Sequence, residues 1–214
     1  MVDESKPQKT FVYVDGFNVY YGCVRGTRYK WLNLRALLER ILTKNEVVAI
    51  HYFTALVKAT PGDPRQATRQ QTCIRALETL PGLTVEYGFF RRETRELRRA
   101  DDMGSLKVRF PKEKGSDVNL ATRLMDDFHR NRFEAAVVVS NDSDLAAPIK
   151  TINQEHDKPV GVMTPTQWKD EPAQKLMEVA AFHHRISRKS VEESQFPAEI
   201  HLSDGTIIHR PPEW

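Results

Sequence analysis

Four aspartates stand where carboxylates could act together. Asp15 ends the apolar run Phe11-Val12-Tyr13-Val14, and Asp142 and Asp144 follow the run over residues 135–139 across Ser140-Asn141. Asp117 precedes a third patterned stretch, just after Lys114-Gly115-Ser116. Four carboxylates brought close together cannot all stay ionised without a counter-charge, so either their pKa values rise or a cation sits among them. An all-oxygen set with no Cys or His pair nearby suits Mg²⁺ or Mn²⁺ rather than Zn²⁺. Such an ion can activate water and shield a phosphodiester oxygen, while Asn18 and Ser140 offer hydrogen bonds without adding charge. Plainer roles are open to the same residues. Asp117 and Asp142 suit helix N-caps, and Asp126 and Asp127 read as exposed helix residues.

The elements that must position these acids follow from periodicity. Val118, Ala121, Leu124, Met125 and Phe128 recur at three- and four-residue steps, one face of a helix that Asp117 begins and Asn131 ends. Residues 135–139 form a Val-rich run apolar on both sides, the pattern of a buried parallel strand. Residues 11–14 repeat that pattern, and Gly16 lets the backbone turn so that Asp15 and Asn18 face one cavity. Both strands thus deliver acids at their carboxyl ends, where open α/β sheets place ligand sites. Helices expected over 33–42, 65–80, 145–155 and 172–181 alternate with strands over 47–55, 83–90 and 159–163, and Cys73 falls near a core-facing side. This order predicts right-handed crossovers and an α/β fold: a mostly parallel central sheet between two helical layers, three-layer α/β/α.

With 214 residues and 40% hydrophobic content, the chain is long enough for one domain with a substantial core. Its net charge of +3 is unevenly spread. Residues 91–114 hold nine Lys or Arg against five Asp or Glu, which leaves the remainder near −1. Arg91, Arg92, Arg95, Arg98 and Lys114 belong to this excess, and Asp101-Asp102-Met103-Gly104 reads as a turn before a short strand over 106–110. The segment is either a solvated hairpin or an arm that grips a phosphate backbone; its place just before Asp117 favours the arm. Tyr20, Tyr21 and Trp31 lie in a loop with Arg25, Arg28 and Lys30, and either cover the core or form a stacking platform for bases.

Two cysteines make neither a zinc ribbon nor a disulfide framework, which points to a reducing, cytoplasmic setting. No apolar run approaches the roughly 18 to 20 residues that span a bilayer, so no membrane association is expected. His183-His184 lacks a third ligand at metal spacing. The compact domain is expected over 1–186. Residues 187–214 read as a polar linker and a β-hairpin tail over 199–209, whose free edge could pair with a second copy in a homo-oligomer.

The blocks VDGFNVYYG at residues 14–22, EKGSDVNLA at 113–121 and VVSNDSDLAAPI at 138–149 together resemble the signature blocks of NYN domains, in the LabA-like branch of the PIN-like nuclease superfamily. The resemblance covers about residues 10–186. It implies a parallel-sheet α/β/α domain and metal-dependent endoribonuclease activity. It places the acidic site on Asp15, Asp117, Asp142 and Asp144, with Asn18 beside it. The chain departs from many members at Asn141, where they carry Gly, and at Arg123, where they carry a further acid. It also lacks the cysteines some hold in the segment 91–113, so zinc is not expected.

Two functions follow as expectations. The first is hydrolysis of RNA, single-stranded or structured, by acids holding Mg²⁺ or Mn²⁺, with Arg91, Arg92, Arg95, Arg98, Lys114 and Ser140 contacting the nucleic acid. The second is a catalytically weak RNA-binding or regulatory module of the same fold. A phosphatase of the haloacid dehalogenase type would want an Asp two residues after Asp15, where Phe17 stands.

Overall fold

A computed structural model describes residues 6–101, 103–155, 158–166 and 171–214. Strand β1 (Gln8–Asp15) leads through a single turn, α1 (Gly16–Val19), into a π-helical turn (Tyr20–Val24). Helix α2 (Leu34–Ile41), strand β2 (Asn45–Thr54), helix α3 (Gln66–Glu78) and strand β3 (Leu83–Tyr87) follow. An antiparallel arm, β4 (Phe89–Arg98) and β5 (Ser105–Lys114), precedes α4 (Ser116–His129) and β6 (Ala135–Val139). The chain continues through a short 3₁₀ turn (Ser143–Leu145), α5 (Ala146–Glu155), β7 (Val160–Thr164), α6 (Gln174–Val179) and β8 (His183–Arg185). Helix α7 (Arg188–Glu192) and the hairpin β9 (Glu199–His201) and β10 (Ile207–His209) complete it.

Six strands form one sheet in the order β3-β2-β1-β6-β7-β8, every neighbouring pair parallel. Alternation along the central strands feeds two cores, because successive side chains of a strand point to opposite faces. Val12, Val14, Val137 and Val139 pack with Trp31, Leu34, Leu37 and Leu38 on one face. Tyr13, Ala136 and Val138 pack with Leu120, Leu124 and Ile149 on the other. The three-layer α/β/α expectation therefore holds. The chain runs outward from β1 to β2 and β3, then returns to β6 on β1's other side and runs outward again to β7 and β8. The boundary between β1 and β6 is thus a topological switch point, where α/β sheets open a crevice at their carboxyl ends. Val14 pairs with Val139 there, so Asp15 and Ser140 emerge side by side.

Several local expectations need correction. The strand over 83–90 stops at Tyr87: a Cβ on Gly88 would lie 2.7 Å from the Lys114 carbonyl, so only glycine lets the chain pass the arm's base. The arm's two strands are ten residues each, longer than the short strand expected, and Asp102 of its turn lies outside the described residues. The loop after Asp15 contains helical turns. Trp31 is buried while Tyr20 and Tyr21 are exposed, which separates aromatics that sequence could not tell apart. Helix α6 starts at Gln174, after Ala173, rather than at Pro172.

The stretch expected to be a polar linker holds α7, whose Val191 is buried. Phe196 and Trp214 stack at tilted angles on Trp31, and Ile208 joins the same core. Among the described residues, no helix is long and apolar enough to cross a membrane.

Asp127, expected to be exposed, is fully buried. Its carboxylate accepts hydrogen bonds from Arg123 at 2.9 Å, Arg132 at 2.8 Å and Tyr13 at 3.0 Å. Arg123 also pairs with Glu86 at 3.1 Å. The residue that departs from the family pattern therefore braces α4 against the sheet. Removing one partner of a buried ionic network leaves the others uncompensated. Asp127→Ala should lower unfolding free energy by about 3 kcal/mol, whereas an exposed helix residue would change it by less than about 0.5 kcal/mol. Urea denaturation distinguishes the two.

Candidate active site

Asp15, the last residue of β1, is 3% exposed. Its Oδ1 accepts the Asn18 backbone N–H at 3.0 Å, and its Oδ2 accepts the Asn18 side-chain amide and the Ser140 hydroxyl at 3.1 Å. Asn18 Oδ1 in turn accepts the Asn141 N–H at 3.1 Å, and Ser140 Oγ accepts the Asp142 N–H at 3.1 Å. These bonds tie the ends of β1 and β6 together. Asn18 is thereby a positioning residue. Ser140 is fully buried with its hydroxyl engaged both ways, so the expectation that it touches nucleic acid is corrected: it orients Asp15 and the backbone of Asp142.

The capping alternatives resolve differently for each acid. Asp142 Oδ1 does cap the 3₁₀ turn, accepting the Asp144 N–H at 2.9 Å, yet the residue also lines the cleft. Asp117 is not the cap of α4. Gly115, at φ 96°, occupies that position, and Glu113 Oε1 accepts the Ser116 N–H at 3.1 Å and its hydroxyl at 2.7 Å. Asp117 is left facing a cleft of about 520 Å³ together with Asp15, Asp142 and Glu113. Asp144 is exposed outside that lining and acts on it through its charge. Three of the four expected acids therefore converge.

Glu113 and Lys58, neither singled out from sequence, also line the cleft. Glu113's signal was its place opposite Phe90 in a regular hairpin, which puts it four residues before Asp117 on the same wall. Lys58 lies in an unpatterned loop and carried no signal.

Burial raises the Asp117 carboxyl to about 6, aided by the charges of Asp15, Asp142, Glu113 and Asp144. Burial also raises Asp15, against the hydrogen bonds from Asn18 and Ser140 that pull it back. Among the described residues, no three His, Cys, Asp or Glu side chains are grouped tightly enough to close around one ion. A direct four-aspartate cage, as expected from sequence, is thus not formed. An all-oxygen donor set of this kind suits a hydrated hard divalent cation better than a closed protein cage.

The basic arm contributes unequally. Arg92 lines the cleft beside Pro111, its cross-strand partner. Arg98 shares that side of the arm near its far end, since alternate residues of a strand share a face. Arg91, Arg95 and Lys114 lie on the other side. Arg95 sits 5.5 Å over the Phe110 ring and Lys114 pairs with Glu93 at 3.4 Å. The five cations do not form one surface.

The model of the NYN domain family matches residues 9–187. This chain belongs to the NYN domain family. That membership places it in the PIN-like nuclease superfamily. A similar curated protein is the 6-hydroxy-3-succinoylpyridine 3-monooxygenase HspA of Pseudomonas putida (strain DSM 28022 / S16), 30% identical over 246 residues, covering 99% of this chain and 77% of that protein. A similar solved structure is a protein of unknown function from Vibrio parahaemolyticus RIMD 2210633, with TM-score 0.51 and 19% identity, covering 86% of this chain and 96% of that one. That likeness concerns the fold.

The raised acids make a signed prediction for this NYN domain without metal. A carboxyl whose folded pKa exceeds its unfolded value stabilises the fold below the unfolded pKa and loses that contribution as pH rises through the folded one. For Asp117 that window runs from about 4 to about 6. In EDTA, the urea midpoint of the wild type should fall across this window, and Asp117→Asn should flatten the fall. A midpoint that drops equally in the variant would remove Asp117 from the repulsive cluster.

Proposed function

We propose that this NYN domain is a cytoplasmic, metal-dependent endoribonuclease that hydrolyses RNA phosphodiester bonds at the cleft of Asp15, Asp117 and Asp142. The observation that carries the reading is the convergence of these acids at the β1/β6 switch point, with Asp117 lifted to about 6 by its surroundings. A bound Mg²⁺ or Mn²⁺ would offset charge on the phosphodiester and activate water. Asp117 and Asp142 are the carboxylates available to hold the ion, and Asp15 is fixed by its hydrogen bonds to orient it. Arg92 and Lys58, on the cleft wall, offer positive charge to the phosphates flanking the scissile one.

The likeness to HspA supports a second reading, oxygenation of a pyridine-type ring. That reaction inserts one atom of O₂ and reduces the other to water, so it needs a two-electron reductant. Incubating the protein with labelled RNA and Mn²⁺, Mg²⁺ or EDTA, beside 6-hydroxy-3-succinoylpyridine with O₂ and reduced nicotinamide, separates the readings. The expected outcome is RNA cleavage that EDTA abolishes. Substrate-dependent O₂ uptake with intact RNA would establish the second reading instead.

Asp117→Asn and Asp142→Asn should each reduce metal-dependent cleavage about tenfold or more, as single-turnover rates on labelled RNA will register. Full cleavage by both would leave an RNA-binding module as the better description.

For the arm, Arg92→Ala should reduce the slope of log affinity against log salt by about 1, as one phosphate contact is lost. Arg91→Ala, on the far side, should leave it unchanged. Equal slopes in both variants would make the arm a solvated face.

A further inference from the structure

A second cavity, of about 340 Å³, lies beneath α1 and the π-helical turn, against β2 and α3. It shares the wall of Phe17, Tyr21, Val57 and Gln66 with the acidic cleft. Its interior is neutral. Burial pushes the Cys73 thiol up to about 12 and raises the Tyr52 phenol, so both keep their protons at neutral pH. Arg69, on one side, is already matched by Asp63 and Glu213. Its mouth is aromatic and cationic: Tyr20 and Tyr21 meet edge to face at 5.2 Å, Arg25 lies 5.0 Å over the Tyr21 ring, and Lys30 is close by. The volume is at the lower end of small-molecule sites, roughly 300 to 1,000 Å³. A flat ring with an anionic substituent fits these walls, the ring against the aromatics and the anion toward Arg25 and Lys30.

We infer that this cavity is a nucleotide-binding subsite that takes the base next to the phosphodiester held in the acidic cleft. The shared wall selects a nucleotide among flat anionic ligands, because a chain threaded past Phe17 and Tyr21 enters both cavities at once. The inference rests on the RNA-hydrolysis reading for its polymer but not for the pocket's affinity for a single nucleotide. It also assigns Tyr21 and Arg25 a stacking function, since aromatic faces and guanidinium groups bind bases without regard to sequence.

Trp214 lines the cavity and reports on it by fluorescence. In EDTA, AMP and UMP should quench that emission saturably, and Trp214→Phe should abolish the change. Ribose 5-phosphate, which lacks a base, should bind at least tenfold more weakly. Cys73→Phe fills the cavity from α3 and should weaken AMP binding at least tenfold. Arg25→Ala, at an exposed position where folding is not at stake, should weaken it severalfold. Asp142→Asn should leave AMP binding intact while losing cleavage. Ribose 5-phosphate or pyridine-3-carboxylate binding as tightly as AMP, or unchanged AMP binding in folded Cys73→Phe and Arg25→Ala proteins, would overturn the assignment. RNA cleavage without AMP binding sinks the subsite alone, whereas AMP binding without cleavage sinks the hydrolase reading alone.

Discussion

Two parallel strands end side by side, and the carboxylate that closes one is bound to the hydroxyl that follows the other. Burying a carboxylate is costly unless hydrogen bonds replace its hydration. Asp15 meets that cost with donors from Asn18 and Ser140. These donors come from the elements leaving β1 and β6, so satisfying Asp15 also fixes where α1 turns and where the 140–145 segment departs. Asn18 then holds the Asn141 N–H, and Ser140 holds the Asp142 N–H. The positions of Asp117's neighbours therefore depend on a hydrogen-bonded joint beneath them.

The arm depends on a different constraint, the close approach of backbones at its base. Gly88 lets β3 pass into β4 against the Lys114 carbonyl, and Gly88 N–H donates to the Thr54 carbonyl at 2.8 Å. Gly115, in the left-handed region, reverses the chain from β5 into α4. Between these two glycines Glu113 caps the helix while facing the cleft. A two-stranded ribbon gains little stability on its own, and the outer part of this one exposes Leu97, Leu106 and Val108. Its base is anchored beside the acids, so the base is the part able to hold a substrate in a fixed place.

The central sheet was legible because its signals are local. Residues 135–139 are apolar on both faces, and the helix from Ser116 repeats at 3.6 residues. The acids at strand ends were legible because a polar residue abruptly ending such a run marks an edge. What was missed depends on distant partners. Asp127 looks like any exposed helix acid until Tyr13 of β1 and Arg132 beyond α4 are brought to it. The tail looked detached because Phe196, Ile208 and Trp214 are isolated apolar residues in polar sequence, and the core they join, Trp31 included, comes from distant parts of the chain. Ser140 was legible as a site residue, but whether its hydroxyl faces solvent or Asp15 is decided by the β1–β6 register.

Asp117 shows which electrostatic effect prevails. It lies in the first turn of α4, where the helix dipole favours a negative charge and would lower a carboxyl pKa. Its pKa is instead raised, so burial and the charges of Asp15, Asp142, Glu113 and Asp144 outweigh the dipole. A carboxylate present only to secure a helix end would be shifted down. Burial comes first and the neighbouring acids add to it, so in the metal-free protein either a proton or a cation relieves the cost of the Asp117 charge. The two compete for the same carboxylates. Acidification should therefore weaken cation binding while relieving the repulsion that the cation would otherwise neutralise. On the proposed reading, cation affinity and metal-free stability are set by the same charges in opposite directions.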